Sequence, residues 1–303
     1  MFTTRQVTAT AALLATAFLL AACGSGETSS DEAEVAAGRE TVDAMTREHA
    51  EDTTDPSPAV DISPAREVIA DPRMPYAESG DHLVYGHFAA PADVVEPLPA
   101  VILIHEWWGL NDNVRAMANR LAGEGYMVLA IDLYNGEVAE SREAARLLML
   151  EVVEDRDLAE ENIRSAYEFL QTAGAPKIGS MGWCFGGGWS LNTAQLFPDD
   201  LDASVIYYGQ VTDDEDKLRP VSAPILGLFG AADTGISVES VEGFRGALER
   251  LRKNHEIHIY PGVGHAFANP TGQNYNAEAA EDAWRKTLEF LGRHLSTEGA
   301  AGS

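Results

Sequence analysis

Cysteine is nearly missing from this chain: among 303 residues only Cys23 and Cys184 carry a thiol, which leaves no room for a disulfide framework. Basic residues are also scarce, 21 against 48 acidic ones, for a formal net charge of −27. An acidic surface repels phosphates, so nucleic acid is excluded as a partner. Long apolar runs are confined to one stretch, Val7 to Ala22, about the length of a signal-peptide core and short for a membrane span. Internal repeats are absent as well, so a solenoid or propeller is not expected.

What the N-terminus does contain is Arg5, that small-residue apolar run, and Leu20-Ala21-Ala22-Cys23 followed by Gly24-Ser25-Gly26. The arrangement resembles a bacterial lipoprotein signal, residues 1–23, in which the thiol of Cys23 receives a diacylglycerol. The resemblance implies an exported protein anchored to a bacterial membrane, at its periplasmic or extracellular face, through lipid only. With Cys23 lipidated, Cys184 has no partner in the chain. A lone thiol outside the cytoplasm is a liability unless it performs a task. Residues 24–65 are rich in Glu, Asp, Ser, Thr and Pro. They read as a disordered, self-repelling acidic linker, with a helical turn or two between Val35 and Met45. Residues 66–296 are expected to fold as one domain, and 297–303 to form a disordered tail.

Inside that domain, short apolar runs alternate with amphipathic ones. Strands are predicted at Leu83–Phe88, Ala100–Ile104, Tyr126–Leu133, Lys177–Gly182, Ala203–Tyr208, Pro224–Phe229 and Glu256–Tyr260. Helices are predicted at Asn113–Glu124, within Glu140–Leu170, and at Gly186–Leu196, Val238–Arg252 and Ala279–His294. Continuous apolar strands separated by helices imply an α/β fold, a mostly parallel central sheet with helices on both faces. Ligands of such sheets bind past the carboxyl ends of the strands.

Gly182-Trp183-Cys184-Phe185-Gly186 falls between a predicted strand and a predicted helix. The spacing is that of a nucleophile elbow, where a side chain at either glycine would strike the neighbouring backbone. It also suits a glycine-rich turn around a structural cysteine, so the partners decide. A thiol nucleophile needs a base and an acid to orient it, in the chain order nucleophile, acid, histidine. Asp233 follows the strand ending at Phe229, and His265 sits in a glycine-flanked loop after the strand ending at Tyr260. Upstream, His105-Glu106-Trp107-Trp108-Gly109 follows the Ala100–Ile104 strand. The backbone N–H groups of Trp107 and Phe185 are the candidate oxyanion-hole donors.

Together the His-Glu-Trp-Trp-Gly-Leu-Asn loop, the Gly-Trp-Cys-Phe-Gly-Gly elbow, Gly230-Ala-Ala-Asp233 and Gly264-His-Ala-Phe267 resemble the dienelactone hydrolase family of the α/β-hydrolase superfamily. The resemblance spans roughly residues 80 to 295. It implies a triad of Cys184, His265 and Asp233, with Glu106 holding the resting thiol neutral until substrate displaces it. It implies cleavage of a small-molecule ester or lactone through a thioester, with no cofactor and no metal. Tyr208 resembles a family tyrosine near the nucleophile, although a core aromatic suits the position nearly as well. Family members that take anionic lactones grip the carboxylate with arginines. Arg142 is aligned with one of these, whereas Asn269 stands where a second is expected, so preference for an anionic lactone is not implied. A general carboxylesterase acting on uncharged esters, and a lipid-anchored binding module without turnover, are the alternatives. Oligomeric state is not legible.

The anchor gives the first prediction. Cys23→Ser should abolish incorporation of a fatty-acid analogue in metabolic labelling while leaving the catalytic domain folded, and equal labelling of both proteins would refute the lipoprotein assignment.

Overall fold

Ala100–Ile104 (β3) is buried throughout, each of its five residues 0% exposed. A strand that is apolar on both faces needs cover on both faces, and the remainder of the domain supplies it. In the computed structural model, which describes residues 27–49, 62–79, 82–94 and 97–296, eight strands form one sheet. Besides β3 they are β1 (Val68–Ser79), β2 (His82–Pro91), β4 (Met127–Ile131), β5 (Ile178–Trp183), β6 (Ala203–Tyr207), β7 (Ile225–Gly230) and β8 (His255–Tyr260). Their order is β1-β2-β4-β3-β5-β6-β7-β8. The β1–β2 and β2–β4 pairs are antiparallel, and every pair from β4 to β8 is parallel. The expected α/β fold, mostly parallel with helices against the sheet, is the one observed.

Helices connect and cover the strands: α1 (Glu27–Glu48), α2 (Asp112–Gly123), α3 (Arg142–Glu154), α4 (Arg156–Thr172), α5 (Phe185–Leu196), α6 (Glu215–Leu218), α7 (Val238–Arg250) and α8 (Ala277–Leu295). Among the helices longer than one turn, four starts are capped by a polar side chain that accepts an otherwise unpaired backbone N–H. Asn111 caps α2, Ser141 caps α3, Ser237 caps α7 and Asn276 caps α8. The sequence-predicted strands and helices all appear, with ends shifted by a few residues.

Besides the one-turn helix α6, two elements were not expected. The first, β1, contains Pro72 and Pro75 and shows register irregularities at both. Proline donates no N–H and so obscures the strand pattern. Here it is tolerated because β1 is the sheet edge. The second is α1. The segment read as a disordered linker contains a 22-residue helix whose C-terminal part packs on the domain. Val42 and Met45 are 1% and 3% exposed, and Arg39–Glu154 and Asp43–Arg146 ion pairs flank the contact with α3. The acidic composition masked a helix with few apolar residues whose stability comes from docking rather than from its own propensity. The signal segment with Cys23, the rest of the acidic stretch and the tail lie outside the described residues. Among the described residues no helix is long and apolar enough to cross a membrane.

The sheet changes direction of growth at β3: β4 lies on one side and β5 on the other. Loops leaving the two strands therefore diverge and open a crevice at the carboxyl edge, the usual ligand position in such sheets. Loop 105–111 leaves β3 into this crevice, and Cys184 leaves β5 into it. A Cβ on Gly182 would collide with the Gly186 backbone, and one on Gly186 would collide with the Ile104 carbonyl. Neither neighbour is a flexible side chain that could move aside. Gly186→Ala is therefore expected to cost about 1–3 kcal/mol through overpacking, read as a lower midpoint in chemical denaturation. An unchanged midpoint would show that the elbow is less tightly held.

Candidate active site

Cys184 adopts φ 54° and ψ −118°, a left-handed conformation that non-glycine residues rarely hold. The turn is fixed from both ends. The Cys184 N–H donates to the Tyr207 carbonyl at 3.0 Å, and the Cys184 carbonyl accepts from Gly187 at 3.0 Å. As the first residue of α5, Phe185 has an N–H outside the helical ladder, at the positive end of the helix. The side chain of Cys184 is 1% exposed.

Asp233 lies just past β7, and one of its oxygens accepts from the Gly235 and Ile236 N–H groups at 2.9 and 2.8 Å. The other faces His265 Nδ1 at 2.8 Å. Both residues are buried, so the imidazole is oriented with Nδ1 on the carboxylate and Nε2 as its remaining nitrogen. Nε2 has no hydrogen-bond partner. Nitrogen atoms of His265 and His49 and the sulfur of Cys184 lie within 4.8 Å of one another.

His49 is the residue that sequence reasoning missed. It follows α1 directly, is 5% exposed, and places Nε2 3.9 Å from Cys184 Sγ. Its ring stacks on Trp107 with centroids 4.2 Å apart and planes 17° apart, and meets His265 edge-on at 5.2 Å. The Glu48 carboxylate accepts from Thr234 Oγ1, tying the end of α1 to the loop that carries Asp233. Nothing in a local pattern could have brought His49 to a cysteine 135 positions away.

Charge in this pocket is finely opposed. Burial alone would push the Cys184 thiol up, but attraction to the His265 imidazolium, with a further contribution from His49, outweighs it and brings the thiol down to about 6. Burial likewise disfavours charged His265, yet the Cys184 and Asp233 charges hold it well above the ordinary histidine range. The two shifts run toward a charged pair, in which each partner's charge favours the other's. Glu106 moves the other way. Burial, and the negative charge of Cys184, raise its carboxyl to about 7.

The pattern of the chain agrees with known proteins. A model of the dienelactone hydrolase family matches residues 84–295. The chain belongs to the dienelactone hydrolase family. A relative from Saccharolobus solfataricus named "Putative carboxymethylenebutenolidase" is 34% identical over 234 residues, covering 65% of this chain and 90% of the relative. One of the same name from Escherichia coli is 33% identical over 226 residues, covering 70% of this chain and 83% of the relative. A crystal structure from Klebsiella pneumoniae, described as a "Putative Dienelactone Hydrolase", superposes with a TM-score of 0.69 at 27% identity. It covers 75% of this chain and 100% of that one. The protein is a hydrolase of this type, and α1 with His49 lies before the residues that the family model matches.

Within this dienelactone hydrolase fold the remaining sequence-predicted residues take positions of their own. Trp107 is buried, and its carbonyl accepts from Tyr134 Oη at 3.1 Å. Glu106 accepts from Asn269 Nδ2 at 2.8 Å. The Asn269 Oδ1 in turn accepts from the Thr271 N–H and hydroxyl at 3.0 and 2.7 Å. Asn269 is therefore a buried support for Glu106. Tyr208 is wholly buried at φ 36°, with its ring edge-on to His265 at 5.1 Å. Arg142, at the start of α3, donates from Nη1 to the His49 carbonyl at 3.0 Å. His105 points away from the thiol and bridges two loops: its Nε2 accepts from the Leu133 N–H, so Nδ1 donates to the Glu106 carbonyl.

The low position of the thiol is directly measurable. Thiolate absorbance near 240 nm, taken as the difference between the wild type and Cys184→Ser, should rise through about pH 6 and be level by pH 8. His265→Ala removes the counter-charge that offsets burial, so its midpoint should move upward. A wild-type midpoint at or above 9 would contradict the charge arrangement.

Proposed function

We propose that the protein hydrolyses a small-molecule ester or lactone through a Cys-His-Asp triad of Cys184, His265 and Asp233. The observation that carries this reading is the 2.8 Å contact of His265 Nδ1 with Asp233, which leaves Nε2 for the thiol at a strained elbow. Cys184 Sγ attacks the carbonyl carbon, and the carbonyl π electrons move to oxygen. The resulting oxyanion is placed at the Phe185 and Trp107 N–H groups, where preorganised donors stabilise charge without reorganisation. Collapse breaks the C–O bond, His265 gives its proton to the leaving oxygen, and a thioester remains. His265 then takes a proton from water, whose oxygen attacks the thioester and releases the acid and the Cys184 thiolate.

Glu106 fits a role different from the one the resemblance implies. Its carboxyl accepts from Asn269, while the thiol has the imidazole nitrogens of His49 and His265 within 4.8 Å. With its carboxyl raised to about 7, Glu106 is protonated in a large share of molecules at neutral pH. A neutral acid beside the nucleophile avoids placing two anions together in a dry pocket.

The same geometry supports an uncharged substrate. Both positions from which a carboxylate clamp was expected are committed elsewhere, Arg142 to the His49 carbonyl and Asn269 to Glu106. Anchoring to a bacterial membrane through Cys23, at its periplasmic or extracellular face, belongs to the same proposal and is supported by the N-terminal sequence.

Cys184→Ala should lower kcat/KM on short-chain esters by at least about a thousandfold, because residues of a triad act as a unit. On a matched free acid and methyl ester, the wild type should cleave the methyl ester at least as efficiently at both low and high salt. Full activity in Cys184→Ala would refute the nucleophile, and a clear preference for the free acid would refute the substrate class.

A further inference from the structure

The family domain supplies two soft donors, Cys184 and His265, and the N-terminal helix delivers a third. We propose that His49, Cys184 and His265 form a binding site for a borderline-soft divalent cation of the Zn²⁺ type, and that occupation of this site silences the nucleophile.

Donor chemistry comes first. One thiolate and two imidazoles suit Zn²⁺ and are poor ligands for Mg²⁺ or Ca²⁺, which require oxygen. Spacing comes next. Zinc takes nitrogen at about 2.0–2.1 Å and sulfur at about 2.3 Å, so tetrahedral donors stand about 3.3–3.7 Å apart. The His49 Nε2 to Cys184 Sγ distance is 3.9 Å, and all three donors lie within 4.8 Å of one another. Side-chain shifts of about an ångström or less therefore bring them onto one ion.

Two further observations point to a ligand. His265 Nε2 is buried with no hydrogen-bond partner, while Nδ1 is held by Asp233. That is the carboxylate–histidine arrangement that orients metal-bound imidazoles. His49 is likewise held, by stacking on Trp107 and by Arg142 at its carbonyl. Coordination requires the proton on His265 Nε2 to leave, so the ion and that proton compete for one nitrogen.

Binding leaves the sulfur lone pair that would attack an acyl carbon on the metal, and it occupies the nitrogen that would shuttle the proton. The ion is an inhibitory ligand, and it also shields a thiol that has no disulfide partner in the described part of the chain. The His49 arm is the distinguishing feature, since it precedes the residues matched by the family model.

The test uses the full chain, stripped of metal and titrated with Co²⁺ as a spectroscopic probe. One equivalent should produce a thiolate-to-cobalt charge-transfer band and the visible bands of a tetrahedral ion, and Zn²⁺ should displace both. Cys184→Ser should lose the charge-transfer band. His49→Ala, and His49→Gln with its polar side chain retained, should each weaken Zn²⁺ binding by about a hundredfold or more, since even an outer-shell partner contributes about 10–100-fold. The Zn²⁺ concentration that halves ester hydrolysis should rise by the same factor in both variants. Wild-type affinity in the His49 variants, or cobalt binding without a thiolate band, would overturn the proposal. The spectra need no turnover, so a failure of the hydrolytic reading leaves this test intact.

Discussion

The whole site depends on one unfavourable backbone conformation. A cysteine at φ 54° costs on the order of 1–3 kcal/mol and persists only where its surroundings leave no alternative. Those surroundings are the backbones of β3, β6 and α5, which approach so closely that Gly182, Gly186, Gly187 and Gly209 tolerate no added carbon without a shift. The strain is carried by the most buried strands of the sheet, and the thiol is raised into the crevice as a result.

The site is as much electrostatic as steric. Around one sulfur stand a raised carboxyl, a raised imidazole and a lowered thiol, all buried. No single shift is intelligible alone. Burial favours neutral forms at every position, and the thiolate–imidazolium pair escapes that tendency because each partner's charge stabilises the other. At Glu106 the attraction of His49 and His265 and the Asn269 hydrogen bond are outweighed by burial and the charge of Cys184, so its carboxyl stays raised. Asn269 donates to this carboxyl as an uncharged amide and draws it down least of the groups that oppose burial. A lysine or arginine in its place would bring a positive charge that ionises Glu106 and sets two anions side by side.

Much of this was legible in the sequence. The order of strands and helices, the elbow, and the placement of Asp233 and His265 after successive strands follow from apolar periodicity and glycine spacing, which are local properties. The family resemblance rested on the same loops. What could not be read was long-range. The prolines of β1 disguise a strand that edge position permits. The direction of the Arg142 and Asn269 side chains depends on partners far along the chain. His49 is the clearest case. Composition marks its segment as an acidic spacer, and only the packing of Val42 and Met45 on α3 turns it into part of a pocket.

That packing carries a consequence for how an N-terminal extension can act on an enzyme. The α1 contact is held by two buried apolar side chains and exposed ion pairs, each worth between nothing and about 1 kcal/mol. The end of the helix, by contrast, is joined to the site by several specific contacts: His49 on Trp107 and Cys184, its carbonyl on Arg142, and Glu48 on Thr234. Docking thus rests on apolar burial along the helix together with specific contacts at the nucleophile. A ligand that engages Cys184 through His49 reinforces the contact, and one that needs the space over Trp107 competes with it. Binding at the site and docking of α1 are therefore linked equilibria, and each must shift the other by the same free energy.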